Sequence, residues 1–177
     1  KKIDAQNTGF EKESFDYVIA SNMIHHIPFP IKFFREMNRI LKKDGKLIIF
    51  ESYCSIIFQL VTMIMKHEGF DFTLDVWDED NAKSDENNAW HGNIAVPHLI
   101  FDDKKKFNEK LGDLFNIEHE ELTECLIFLN SGGVTSKTKF IPMNRYFLNI
   151  LNFLDKILIK TFPGIFCMGR RLVLVKT

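Results

Sequence analysis

Two adjacent histidines, His25 and His26, are the strongest candidates for chemistry in the sequence. Imidazole titrates near physiological pH, so either side chain could accept a proton from a reacting group. Because adjacent residues point in different directions, we expect at most one of them to face a binding pocket. A metal site built from both is not expected, because no carboxylate stands at a matching spacing in the sequence.

A second group of candidates lies further along the chain. Tyr53 could stack on a ligand or hydrogen-bond it, although a tyrosine of the hydrophobic core is an equal alternative. His67, Trp90 and His91 bring ring donors to a polar segment, which could line a substrate pocket or form a solvated loop. We treat these four residues as candidate substrate contacts.

The composition excludes several classes of protein. The chain has 177 residues, 45% hydrophobic and 27% charged, which are proportions of a globular domain and not of a disordered one. A formal net charge of -1 leaves no domain-wide basic field for nucleic acid. Three widely spaced cysteines exclude a cysteine-rich zinc site and a disulfide framework, and they indicate a reducing, cytoplasmic environment. No uncharged apolar run is long enough to span a membrane.

Two apolar runs with a helical pattern between them predict a strand–helix–strand unit. The run at 15–22 is typical of a strand buried on both faces, and a second such run follows at 46–51. Between them, residues 31–42 place apolar side chains on one face of a helix, which we expect Gly45 to end. The short connections favour a right-handed crossover in a parallel sheet.

The rest of the chain alternates helical and extended patterns. We predict an apolar helix at 54–66, a polar loop at 71–88 and a short helix, capped by Asp102, at 102–111. A strand at 115–123, a second apolar helix at 144–160 and a closing strand at 170–176 are predicted to follow. The predicted fold class is α/β. Helical or loop insertions are expected at 53–113 and 128–168 within one domain over 1–177.

Two segments carry a family resemblance. Residues 4–27 begin with the acidic–small pair Asp4-Ala5 and continue through FDYV into SNMIHHI. Residues 34–51 read FREMNRILKKDGKLIIFE, close to the pattern ExxRxLKPGGxLxI. In this order they resemble the class I S-adenosylmethionine-dependent methyltransferases of the small-molecule type. The resemblance implies a Rossmann-like sheet, mostly parallel with an antiparallel last strand, and S-adenosylmethionine as the cofactor.

The resemblance also implies roles for individual residues. The Asp4 carboxylate would accept a hydrogen bond from the adenine amino group, and the Ala5 amide would meet an adenine ring nitrogen. Asn22 and Met23, at the end of a strand, would line the methyl donor and the acceptor. In this family one such histidine often makes only a structural hydrogen bond, which is the alternative to a proton-accepting role for His25 or His26. Some metal-assisted relatives carry Glu where Asn22 stands, which argues further against a metal ion.

The family places two strands and a glycine-rich turn before its acidic–small pair. Since that pair here is Asp4-Ala5, we expect the chain to be the C-terminal part of a longer methyltransferase, with those strands missing. The strand at 15–22 should then have an open edge, through which copies of the chain could associate. A non-catalytic remnant, or a module that a partner chain completes, is the alternative.

The implied reaction is methyl transfer to a small-molecule acceptor, such as a sugar or a lipid-linked metabolite. The apolar helices at 54–66 and 144–160 indicate a bulky or partly apolar acceptor. They are expected to pack as a lid over it. Contact with a membrane surface is less favoured, because their polar faces carry few basic residues.

Overall fold

A four-stranded mixed sheet forms the centre of the fold in the computed structural model, which describes residues 3–66, 68–86, 88, 91–130 and 140–177. Its strands are β1 (Phe15–Ser21), β2 (Leu41–Ser52), β3 (Phe115–Thr123) and β4 (Gly169–Lys176), in the order β1-β2-β4-β3. β1 pairs in parallel with β2, whereas β4 is antiparallel to both β2 and β3. Three strands therefore run in one direction and the last runs against them, which confirms the predicted α/β architecture.

The connection between β1 and β2 is helix α1 (Pro30–Ile40). Proline suits the first turn of a helix, where its missing N–H has no intrahelical partner. β2 begins directly after α1, so the predicted helix end at 42 was two residues too late. The prediction for Gly45 was also wrong, because Asp44 has the positive φ, 59°. A Cβ at position 45 would come within 2.8 Å of the Lys42 carbonyl oxygen, so close packing accounts for the glycine.

Six further helices follow along the described chain: α2 (Ile56–Ile64), α3 (Ala95–Phe101), α4 (Lys104–Leu111), α5 (Leu126–Asn130), α6 (Arg145–Thr161) and α7 (Pro163–Phe166). The sequence predicted α2, α4 and α6, but not α3, α5 or α7. Asp103 caps α4 by accepting from the Lys106 N–H, whereas Asp102 ends α3, so the predicted cap was misplaced by one residue.

Phenylalanine and isoleucine dominate the main hydrophobic core, in which α1, α3 and α4 pack with the sheet. Five phenylalanine side chains are fully buried there: Phe33, Phe34, Phe101, Phe107 and Phe115. The rings of Phe34 and Phe101 meet edge to face with centroids 6.1 Å apart, an arrangement that aromatic pairs prefer. This core fixes α1 against β1 and β2, and thereby sets where those strands end.

Helix α6 stays largely exposed, although its sequence is apolar. Asp155 is its buried residue, and its carboxylate accepts the N–H groups of Cys125, Leu126 and Ile127 at the start of α5. Phe147 and Phe153 are 56% and 64% exposed. The described helices include none that is long and apolar enough to cross a bilayer. The lid role of the segments 53–113 and 128–168 stays a prediction.

We expect the chain to self-associate through β1, for which β2 is the pairing partner within the described residues. Ile19 of β1 is 65% exposed, and an apolar strand with an unpaired edge is a template for another chain. Ile19→Lys should shift the chain toward monomer in size-exclusion chromatography with light scattering across a concentration series. The matched control is Ile64→Lys on α2, which should leave the balance between monomer and oligomer unchanged. A monomer at every concentration for the unmodified chain would contradict this expectation.

Candidate active site

The adjacent carboxyl ends of β1 and β2 border a small cleft. Ser21 pairs with Phe50 at the last rung of the parallel ladder, and the Asn22 N–H donates to the Phe50 carbonyl over 2.8 Å. Asn22 has a φ of 47°, a left-handed conformation that asparagine tolerates better than most residues. The cleft has a volume of about 220 Å³, and Asn22, Glu51 and Arg170 are among its lining residues. Ligands of α/β folds bind at such an edge.

The buried carboxylate of Glu51 organises the segment that follows β1. One of its oxygens accepts the N–H groups of Met23 and Ile24 at 2.8 and 2.6 Å, and the other lies 2.8 Å from His25 Nδ1. These contacts hold residues 24–26 as a short 3₁₀ turn. The sequence showed Glu51 next to the end of a strand, but it did not show these three partners.

His25 lies between two carboxylates. Its side chain is 7% exposed, and its Nε2 atom lies 3.3 Å from an oxygen of Glu68. Burial by itself would lower the pKa of His25, but the hydrogen bonds and negative charges of Glu51 and Glu68 raise it to about 9. In the metal-free protein His25 therefore keeps its proton at neutral pH, which makes it a poor proton acceptor.

His26 is the more accessible of the two histidines. Its side chain is 20% exposed, and its Nε2 atom lies 3.6 Å from the second oxygen of Glu68. The centroids of the His25 and His26 imidazole rings are 4.2 Å apart. Glu68 comes from an irregular segment far from the histidines in sequence. The pattern around it gives no sign of this contact, so sequence reasoning missed it.

Gly92 closes one side of this cluster. A Cβ atom at position 92 would lie 2.8 Å from His25 Cδ2, 2.8 Å from His26 Nδ1 and 2.9 Å from a Glu68 oxygen. Only glycine fits without displacing at least one of the three side chains. The neighbouring Asn93 N–H donates to the His25 carbonyl over 2.8 Å, which fixes the backbone on both sides of the contact.

An apolar cavity of about 300 Å³ lies beside β1 and contains two of the expected cofactor-binding residues. Its lining residues are Ala5, Thr8, Phe10, Phe15, Tyr17, Val18, Ile19, Ala20, Met23, Phe33, Met37 and Ile40. Ala5 and Met23 thus meet at one cavity, whereas Asn22 lines the cleft at the sheet edge. The Asp4 carboxylate is exposed and accepts from the Gln6 backbone N–H at 2.9 Å.

Of the four expected substrate contacts the structure describes Tyr53 and His91, which lie at different places. The Tyr53 ring packs against His98 and lies 5.0 Å from the guanidinium carbon of Arg170. Burial raises the pKa of Tyr53, consistent with a half-buried phenol. His91 lines a separate cavity of about 380 Å³. His67 and Trp90 lie outside the described residues.

The sequence of the chain is similar to those of methyltransferases. Residues 1–49 match the family model described as a methyltransferase domain. The chain is 31% identical over 135 residues to a demethylmenaquinone methyltransferase of Staphylococcus haemolyticus. The aligned region covers 75% of this chain and 51% of that relative. A demethylmenaquinone methyltransferase of Staphylococcus saprophyticus is 30% identical to the chain over 116 residues. This aligned region covers 64% of the chain and 45% of the relative.

A solved structure, that of a SAM-dependent methyltransferase from Archaeoglobus fulgidus, shares the fold with a TM-score of 0.52 at 14% identity. The structural alignment covers 100% of this chain and 66% of the Archaeoglobus fulgidus chain. The chain is thus similar, in sequence and in fold, to class I S-adenosylmethionine-dependent methyltransferases. It spans about half the length of the curated relatives it matches.

We expect the stability of the chain to fall as the pH rises from 6.5 to about 9, because folded His25 binds its proton more tightly than unfolded histidine does. This contribution is complete below pH 6.5 and lost above the raised pKa. A shift of this size corresponds to roughly 3 kcal/mol in the free energy of unfolding. Urea unfolding in the presence of a chelator, at several pH values in this window, measures it.

His25→Gln should flatten this pH dependence, since glutamine keeps a hydrogen-bonding side chain but does not titrate. The control is His119→Gln on the exposed face of β3, which should keep the dependence of the unmodified chain. Parallel curves for the unmodified chain and His25→Gln would show that the proton on His25 does not stabilise the fold.

Proposed function

We propose that this chain takes part in methyl transfer from S-adenosylmethionine to an apolar small-molecule acceptor. The observation that carries the proposal is the meeting of three features at one sheet edge. The Asn22 cleft, the paired histidines and the apolar cavity beside Met23 all border the segment that follows β1. This is where an α/β fold binds its ligands.

The apolar cavity suits the adenine ring of the cofactor. Aromatic and aliphatic side chains dominate its lining, and Ala5 is one of the lining residues. Asp4 precedes Ala5 and offers a carboxylate, a group that only accepts hydrogen bonds, to the exocyclic amine of adenine. Met23 lies between this cavity and the histidine turn, so we assign the sulfonium end of the cofactor to the Asn22 side.

The reaction requires one bond to form and one to break. The acceptor atom takes the methyl carbon from the sulfonium, the sulfur keeps the electron pair to become S-adenosylhomocysteine, and the acceptor loses a proton. The cofactor supplies the activated methyl group, so the protein positions the two reactants and receives the proton. We assign proton transfer to His26, because the carboxylates on both sides of His25 keep that imidazole protonated.

The acceptor that fits best is an apolar quinone. Both curated relatives are named demethylmenaquinone methyltransferases. Helix α2, whose Phe58 ring packs against the cleft residue Phe128, agrees with an apolar acceptor because it exposes large aliphatic side chains, among them Leu60 and Met63. The cleft lining itself is largely polar, with Asn22, Glu51 and Arg170 among its residues, so the quinone assignment rests on the relatives and on α2.

The direct test is a methyl-transfer assay with labelled S-adenosylmethionine and a short-chain demethylmenaquinone reduced to its hydroquinone, because the electron-rich ring of that form is the nucleophile. It is run on the chain and on the whole open reading frame that contains it. Label in the quinone, with S-adenosylhomocysteine as co-product, supports the proposal. Cofactor binding without transfer to the quinone, but with transfer to a lipid-linked sugar, would overturn the quinone assignment. Neither binding nor transfer with the product of the open reading frame would favour a non-catalytic module.

We expect His26→Ala to lower kcat about 10²-fold in the active form, the usual contribution of a general base. KM for the quinone should change much less, because the imidazole acts on the proton and not on the apolar body of the acceptor. His119→Ala is the matched control and should leave kcat unchanged. Near-normal turnover by His26→Ala across the pH range would remove the proton-transfer role.

A further inference from the structure

We propose that His25, His26 and Glu68 form a binding site for a divalent transition-metal ion of the zinc type. This inference does not rest on the proposed methyl transfer, whose chemistry needs no metal. It also departs from the sequence-based expectation that the histidines lack a carboxylate partner. The fold supplies that carboxylate from Glu68.

The distances fit a coordination site. One ligand atom from each of the three residues lies within 4.8 Å of the other two. Glu68 oxygens lie 3.3 Å from His25 Nε2 and 3.6 Å from His26 Nε2. Bonds of about 2.0–2.1 Å at a tetrahedral ion separate neighbouring ligand atoms by about 3.3–3.5 Å. An ion could therefore enter with small side-chain adjustments.

Glu51 supplies the outer support that metal-bound histidines usually have. Its contact with His25 Nδ1 at 2.8 Å directs the other ring nitrogen, Nε2, toward Glu68. A carboxylate behind a metal-bound imidazole fixes the orientation of the ring and raises its basicity. Glu51 is itself held by two backbone N–H groups, so this orientation is set by the sheet edge.

The charges of the cluster also favour a divalent cation. Glu51 and Glu68 place two carboxylates in a mostly buried space, with side chains 0% and 10% exposed. Two neutral imidazoles and one divalent ion would balance both negative charges. Two imidazoles and one carboxylate suit zinc and related transition metals better than magnesium or calcium, which prefer oxygen ligands.

Three protein ligands would leave at least one coordination position of the ion to a further ligand. Three protein ligands are the number found in catalytic zinc sites, where the open position holds water or substrate. His26 is the most exposed of the three, which gives the ion a route of entry. An ion at this site would bind the same His26 nitrogen that would otherwise receive a proton. The metal-bound and the metal-free chain therefore differ in whether His26 can accept a proton.

The test is a titration of the chelator-treated chain with Co²⁺, followed by its visible d–d absorption, and then competition with Zn²⁺. We expect one ion per chain and a spectrum of low coordination number. Glu68→Gln and His26→Ala should each weaken binding at least 10-fold. The controls Glu86→Gln and His119→Ala, at an exposed carboxylate and an exposed histidine, should bind like the unmodified chain.

Two further variants distinguish a preorganised metal site from adventitious binding of the ion by exposed side chains. Glu51→Gln keeps all three ligands but should weaken binding by about 10- to 100-fold, as expected for the support of a metal-bound histidine. Gly92→Ala should weaken binding because its Cβ displaces the ligands, whereas Gly69→Ala, with no atom within 4 Å of its Cβ, should not. Circular dichroism checks that each variant is folded.

Absence of Co²⁺ binding at about 1 mM would overturn the proposal. So would stoichiometric binding that survives both Glu68→Gln and His26→Ala in folded protein. Because the readout is the bound ion, a chain that transfers no methyl group can still confirm the site. An active methyltransferase that binds no ion would refute it without affecting the proposed function.

Discussion

The carboxylate of Glu51 is the interaction on which the rest of the site depends. It stands at the end of β2 and accepts two backbone N–H groups from the segment after β1, so it ties the ends of two neighbouring strands together. A buried N–H group left without a partner costs about 1–3 kcal/mol, which makes these contacts expensive to lose. The same carboxylate orients His25, and through it the whole histidine cluster.

The parallel pairing of β1 and β2 makes this arrangement possible. In a parallel pair both carboxyl ends lie at one edge, and α1 returns the chain so that Asn22 and Glu51 become neighbours. The phenylalanine core holds α1 in place from the opposite side. The site therefore depends on a rigid crossover, whereas Glu68 and Gly92 reach it from a less regular segment that the sheet does not position.

The sequence predicted the parts of this structure that are encoded locally. Apolar runs and helical periodicity located β1, β2, β3, β4 and the helices α1, α2 and α6, because burial imposes those patterns on the residues themselves. Contacts between distant segments leave no such pattern. Nothing near Glu68 marks it as a partner of His25, and Gly92 resembles any loop glycine until its neighbours are known. Asp44 takes the left-handed conformation expected of Gly45, because local patterns do not show which residue needs space and which needs a positive φ.

A double-mutant cycle between Glu51 and His25 tests most directly whether their contact builds the site. Glu51→Gln, His25→Gln and the double variant are compared by urea unfolding near neutral pH with a chelator present. Glutamine at position 51 still accepts backbone N–H groups, so the cycle isolates the interaction with the imidazole. The account predicts a favourable coupling of at least about 1 kcal/mol, whereas effects that add to within about 0.5 kcal/mol would contradict it.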